Sequence, residues 1–158
     1  MVAPSRRFHW LIPLQWILHF ADEAWFGFPA WATRHFAPLP ATLWTPGMWI
    51  FCVVMTAAGF AASRPNWPAP FPFATATIQS IFAWNAVFHL VSTLVLVEYS
   101  PGCGTGLFVF LPATLVFQRE LRGDPRLAGR GRVGAAGLGF VLHALVIASL
   151  FVSKAALG

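Results

Sequence analysis

Two long stretches of this chain carry no charged side chain at all, one between Arg34 and Arg64 and one between Arg64 and Glu98. Charged residues make up only 9% of the chain, against roughly 25% in a soluble domain, and hydrophobic residues 58%. So few charges cannot cover a water-facing surface, whereas a surface facing lipid has no need of them. The chain is therefore expected to be an all-α, polytopic transmembrane helical bundle, a single domain over residues 1–158. Helices are required because every backbone amide in hydrocarbon needs an internal partner.

A span needs about 20 residues at about 1.5 Å each. About five segments meet or approach that length: 8–27, 47–62, 73–98, 104–118 and 134–156. The second and fourth are short, so four full spans with one re-entrant piece is the competing arrangement. Proline clusters are expected to break the helices: Phe28-Pro29 with Pro38, Pro40 and Pro46 after the first span, and Arg64-Pro65-Asn66-Trp67-Pro68 with Pro70 after the second. Pro101-Gly102 and Gly104 mark a tight turn after the third. Residues 119–133 form the one clearly hydrophilic stretch, an arginine-rich loop.

The charge balance fixes an expected orientation. With the amino terminus in the cytoplasm, Arg6, Arg7, Arg64, Arg119, Arg122, Arg126, Arg130 and Arg132 fall inside, and only Arg34 and Lys154 outside. Eight against two follows the positive-inside rule. The net charge of +5 is thus read as topogenic, and nucleic acid is not expected as a partner. The lipid bilayer is, in a bacterial plasma membrane. Trp25, Trp31, Trp44 and Trp49 would lie near the outer interface. The first apolar run continues past Asp22 and Glu23 without a small-residue cleavage site, so it reads as a retained span. Cys52 and Cys103 give no disulfide framework.

Against this apolar background a few polar residues stand out. His19, Asp22 and Glu23 are spaced by three and four residues and share a helical face. An acid at the centre of a span costs about 2.5–3.5 kcal/mol on insertion scales, so two in a row mark a functional candidate. Asn85 and His89 share a face of the third span, with Ser92 continuing the stripe. Both spans run outward, which places His19 and His89 at matching depth and lets the two faces meet. A structural network of helix-packing hydrogen bonds is the plainer alternative, and it is the expected role of Gln15, Gln79 and His143.

His19-Phe20-Ala21-Asp22-Glu23 resembles the motif that names the HXXEE family of small integral membrane proteins, with Asp22 in place of the first glutamate. Phe28-Pro29, Trp31, Asn85-Ala86-Val87-Phe88-His89, Tyr99-Ser100-Pro101-Gly102 and Leu111-Pro112 extend the resemblance over about two-thirds of the chain. It implies a multi-span helical membrane protein and carries no activity with it.

The residues themselves suggest chemistry. His19, Asp22, Glu23 and His89 are ligand types for a divalent zinc, iron or manganese ion, with Asn85 as a supporting or substrate contact. The five together are the candidate catalytic set. One reading is an enzyme, metal-dependent or acid–base, acting on a lipophilic small molecule. A second is a transporter, proton-coupled or carrying a metal or small solute, which would need an oligomer. A third is a non-enzymatic accessory subunit whose polar face pairs with a partner span.

Overall fold

The computed structural model describes residues 6–64, 66, 68, 70–127 and 129–157. Pro65 and Trp67 lie outside them, as do the side chains of Arg6, Arg7 and Lys154. The chain is 84% helix, with no strand among the described residues. A 3-10 turn, Arg6–Trp10, runs directly into α1, Leu11–Trp25. Two short linkers separate it from α2, Phe28–His35, and α3, Ala41–Ser63. The long α4, Pro70–Leu96, follows. After a turn come α5, Cys103–Thr105, a π-helical segment, Gly106–Phe110, and α6, Leu111–Leu121. Helix α7, Gly129–Leu157, ends the fold.

The helix breaks expected after the first and second spans are present, after Trp25 and after Ser63, but several of the prolines open the next helix. Pro29 does not end helical structure but lies in the first turn of α2, where its missing N–H would have no partner anyway. Pro40 is the residue before α3, and Pro46 is held inside that helix, so α3 starts well before the expected residue 47. Pro70 and Pro72 fall in the first turn of α4 for the same reason as Pro29. Three helices are long and apolar enough to cross a membrane: α3, α4 and residues Gly129–Ser149 of α7.

Helix α4 is the central post. Its Phe82 and Ala86 are buried with Ile12 of α1, Met55 of α3 and Phe110 and Phe117 from the later segments. Phe82 and Phe110 stack with centroids 4.5 Å apart. Helix α7 packs on α4 so closely that a Cβ at Gly139 would stand 2.6 Å from the Thr77 carbonyl oxygen. Small residues of this kind let backbones approach where lipid gives no hydrophobic drive between helices. Gln15 and Gln79 are buried and exchange hydrogen bonds of 2.8 and 3.1 Å, and Gln79 also donates to Thr114 at 2.8 Å. That network ties α1, α4 and α6 together midway along the bundle. Trp31 is not at a surface: it is 1% exposed, at the centre of a small cluster with Ala32 and Phe36. Cys52 and Cys103 are free thiols.

Candidate functional site

The last turns of α1 and the C-terminal half of α4 face each other, as their polar stripes require. The rings of His19 and His89 meet edge to face with centroids 5.2 Å apart. His19 is 1% exposed and His89 is fully buried. Glu23, one turn beyond His19, is also buried and places Oε1 3.4 Å from the Nε2 of each imidazole. Phe110 lies 4.5 Å from the His19 ring and Phe28 5.7 Å from the His89 ring, so aromatic walls exclude water.

The turn between α4 and α5 closes the site. Gly102 has φ +101°, and a Cβ there would stand 2.7 Å from His19 Cε1 and 2.9 Å from His89 Nε2. Only glycine fits a backbone pressed against two imidazoles in this conformation. The same turn supplies hydroxyls to the outer ring nitrogens. His19 Nδ1 lies 2.9 Å from Thr105 Oγ1, and His89 Nδ1 lies 2.8 Å from Ser100 Oγ. With their Nδ1 atoms engaged, both rings turn Nε2 inward.

Asp22 points elsewhere. Its Oδ2 accepts hydrogen bonds from the Thr105 amide at 2.9 Å and the Thr105 hydroxyl at 2.7 Å. Its Oδ1 accepts from the Tyr99 phenol at 3.2 Å. Tyr99 is 41% exposed, and burial of its ring edge raises the phenol above its ordinary 10.0, keeping it a donor. Asp22 therefore stands between the exposed lip and the buried cluster. The four ligand types expected to converge reduce to three whose ligand atoms lie within 4.8 Å of one another: His19, Glu23 and His89.

Asn85 sits one turn below His89 on the same face, and its Oδ1 is buried without a hydrogen-bond partner among the described residues. His143 is buried on α7, beside Phe88 at 6.2 Å, and is not part of the cluster. Glu98 is exposed and pairs with Arg34 and with His35 at 2.8 Å. These partners hold its carboxyl below the ordinary range, the His35 bond first. Thr105 went unread in the sequence: a single threonine in a glycine-rich turn carries no pattern, and its partners lie 83 and 86 residues away.

The buried Nε2 atoms of His19 and His89 have no hydrogen-bond partner among the described residues. Their 3.4 Å spacing from Glu23 Oε1 exceeds the ordinary range of an N–H···O bond. Three ligand-type atoms within 4.8 Å of one another are what a shared ion would draw on. Two imidazoles and one carboxylate also form a donor set that leaves a coordination position open.

No curated protein and no solved structure matches the chain. One family model does, described as a protein of unknown function with an HXXEE motif, and it covers residues 10–117. That stretch begins one residue before α1 and ends within α6, so it takes in every residue of the His19–Glu23–His89 cluster and its supporting turn. The chain belongs to this HXXEE-motif family.

Proposed function

We propose that this chain is a five-span intramembrane enzyme in which His19, Glu23 and His89 hold one divalent cation and a lipophilic substrate is the reactant. One observation carries the reading: two buried imidazole nitrogens without hydrogen-bond partners among the described residues flank a buried carboxylate at 3.4 Å. Buried polar atoms are ordinarily satisfied, and an exception needs a cause. A cation answers all three groups at once.

The two spans beyond the long apolar helices follow from continuous helical runs. The 5-residue 3-10 turn joined to the 15 residues of α1 reaches about 30 Å. The 3, 5 and 11 residues of α5, the π segment and α6 form the other run. The arginine balance supports a cytoplasmic amino terminus and a cytoplasmic loop after α6.

A divalent ion in this cluster would supply Lewis acidity, polarising an oxygen of the substrate. The chain's own groups do the rest. Phe28 and Phe110 keep water out. Asn85, with its unpartnered buried oxygen, is assigned to a polar group of the substrate. A carrier reading draws on a different observation, the hydrogen-bonded run from exposed Tyr99 through Asp22 and Thr105 to His19, which resembles a proton relay.

Elemental analysis of the protein purified in native lipid tests the proposal. The expected result is stoichiometric zinc, iron or manganese that is lost from both His19→Ala and His89→Ala. Absence of metal from the wild type would overturn the cation, and lipid turnover unchanged in both variants would overturn the enzyme. Proteoliposome flux that depends on Asp22 and Glu23 would favour the carrier.

A further inference from the structure

We propose that Asp22, acting through the Thr105 hydroxyl, locks His19 in the tautomer that carries its proton on Nδ1 and so presents Nε2 as a bare lone pair to the buried cluster. The proposal deepens the reading of that cluster as a cation site, but the tautomer itself can be tested without any metal. Asp22 and Thr105 are positioning residues here: neither reaches the Nε2 side of the ring.

The assignment follows from counting protons. A threonine hydroxyl has one proton to give and lone pairs to accept with. Thr105 Oγ1 has three neighbours: Asp22 Oδ2 at 2.7 Å, the Gly102 carbonyl at 3.2 Å and His19 Nδ1 at 2.9 Å. Asp22 receives donors from the Thr105 amide and the Tyr99 phenol, and as a carboxylate it only accepts. The carbonyl is acceptor-only as well. The single hydroxyl proton goes to Asp22, the nearer of the two at 2.7 Å against 3.2 Å. The contact at 2.9 Å to His19 is then satisfied only when the ring nitrogen donates. If the hydroxyl donated to His19 instead, the Thr105 and Asp22 oxygens would face each other at 2.7 Å with no proton between them. A neutral imidazole with its proton on Nδ1 has none on Nε2, which is the form a metal takes.

His89 shows what the lock adds. Its Nδ1 also meets a hydroxyl, Ser100 Oγ at 2.8 Å, but among the described residues no carboxylate stands behind that hydroxyl, which can donate or accept. His19 is thus fixed by an acid while His89 adapts. The lock also gives Asp22 a place in the motif. Its shorter side chain ends against Thr105, and the hydroxyl spans the remaining distance to the ring.

The test is nitrogen NMR of histidine-labelled, metal-free full-length protein in detergent, at a pH where imidazole is neutral, with cobalt(II) titration of the same samples. In the wild type, His19 should show a protonated Nδ1 and a pyridine-type Nε2. Thr105→Val should convert His19 to a mixture or to the opposite tautomer and weaken cobalt binding by about 10–100-fold, the range for losing a group that orients a ligand. Thr105→Ser, which keeps the hydroxyl, should restore both. A wild-type His19 with its proton on Nε2 would overturn the proposal. So would a tautomer unchanged in Thr105→Val. A correct tautomer that responds to Thr105→Val, in a protein that binds no cobalt, would support the lock while removing the cation reading.

Discussion

The helical run that opens the fold carries a buried histidine–acid pairing at each end, about 15 Å apart along the axis, and the two are completed in different ways. At the near end His9 is fully buried, with Nε2 3.9 Å from Asp124 and Nδ1 3.0 Å from the Thr75 hydroxyl. Asp124 has a cation of its own: Arg126 reaches it through Nε at 3.0 Å and Nη2 at 2.8 Å. The same guanidinium donates to the carbonyls of Ala62 at 2.8 Å and Arg64 at 3.0 Å, tying the loop before α7 to the end of α3. At the far end Glu23 meets two imidazoles and, among the described residues, no arginine. One end is a clamp whose charges are balanced within the chain. The other leaves an acid and two lone pairs facing one point. The lesson is that burial of a histidine and an acid together does not by itself mark a functional centre; the supply of countercharge separates the two cases.

The largest effect that sharpens this contrast is Glu23→Gln. It should weaken cobalt or zinc binding by more than about 1000-fold, about 4 kcal/mol, while the metal-free protein melts no lower than the wild type, because an uncompensated buried charge has gone. Isothermal titration and thermal unfolding in detergent measure the two halves. A large loss of metal-free stability would make Glu23 a clamp like Asp124. Next is Arg126→Met, which leaves Asp124 buried without its partner. A loss of about 3 kcal/mol in unfolding free energy is expected, as for one member of a buried pair, with metal affinity unchanged. Loss of metal binding in that variant would break the separation between the ends.

Gly102→Ala should cost about 2 kcal/mol through backbone strain and contact with both rings, and metal affinity should fall with it. The pH response is smaller. Burial alone would raise the Asp124 carboxyl, but the Arg126 hydrogen bonds and charge outweigh it and hold the group below its ordinary 3.8. A depressed folded value means the clamp contributes fully above the unfolded value and is lost as pH falls through the folded one. Melting temperature should therefore drop on the acid side in the wild type, and that limb should flatten in Arg126→Met. Smallest is Arg34→Ala, which removes one partner of exposed Glu98 and should leave unfolding unchanged within error.

Much of the far end was legible in the sequence because helical geometry is simple. Offsets of three and four put His19 and Glu23 on one face, and a rise of about 1.5 Å per residue matched the level of His89 to that of His19. What escaped depends on long-range turns. Thr105 reaches Asp22 and His19 only because the chain reverses at Gly102. The near-end clamp joins His9 to Asp124, and neither lies in a periodic stripe that would call attention to it. The helix break expected around Phe28-Pro29 is present after Trp25, but a proline is at home in a first turn, so the chain resumes there as α2, a short helix the sequence reading did not include. Asp22 was grouped with the ligands because spacing along one helix cannot tell which way a short carboxylate turns at the helix end.

The wall against which both imidazoles rest is peptide backbone rather than a side chain, because Gly102 offers only hydrogen there. Side chains around a chamber can drift in size and polarity from one sequence to the next. A wall of main chain has nothing to exchange, so the space beside His19 and His89 is set by the path of the turn itself. Any retuning of this chamber must come from its floor and mouth, Phe110, Phe28 and Tyr99, or from a change in the length of that turn.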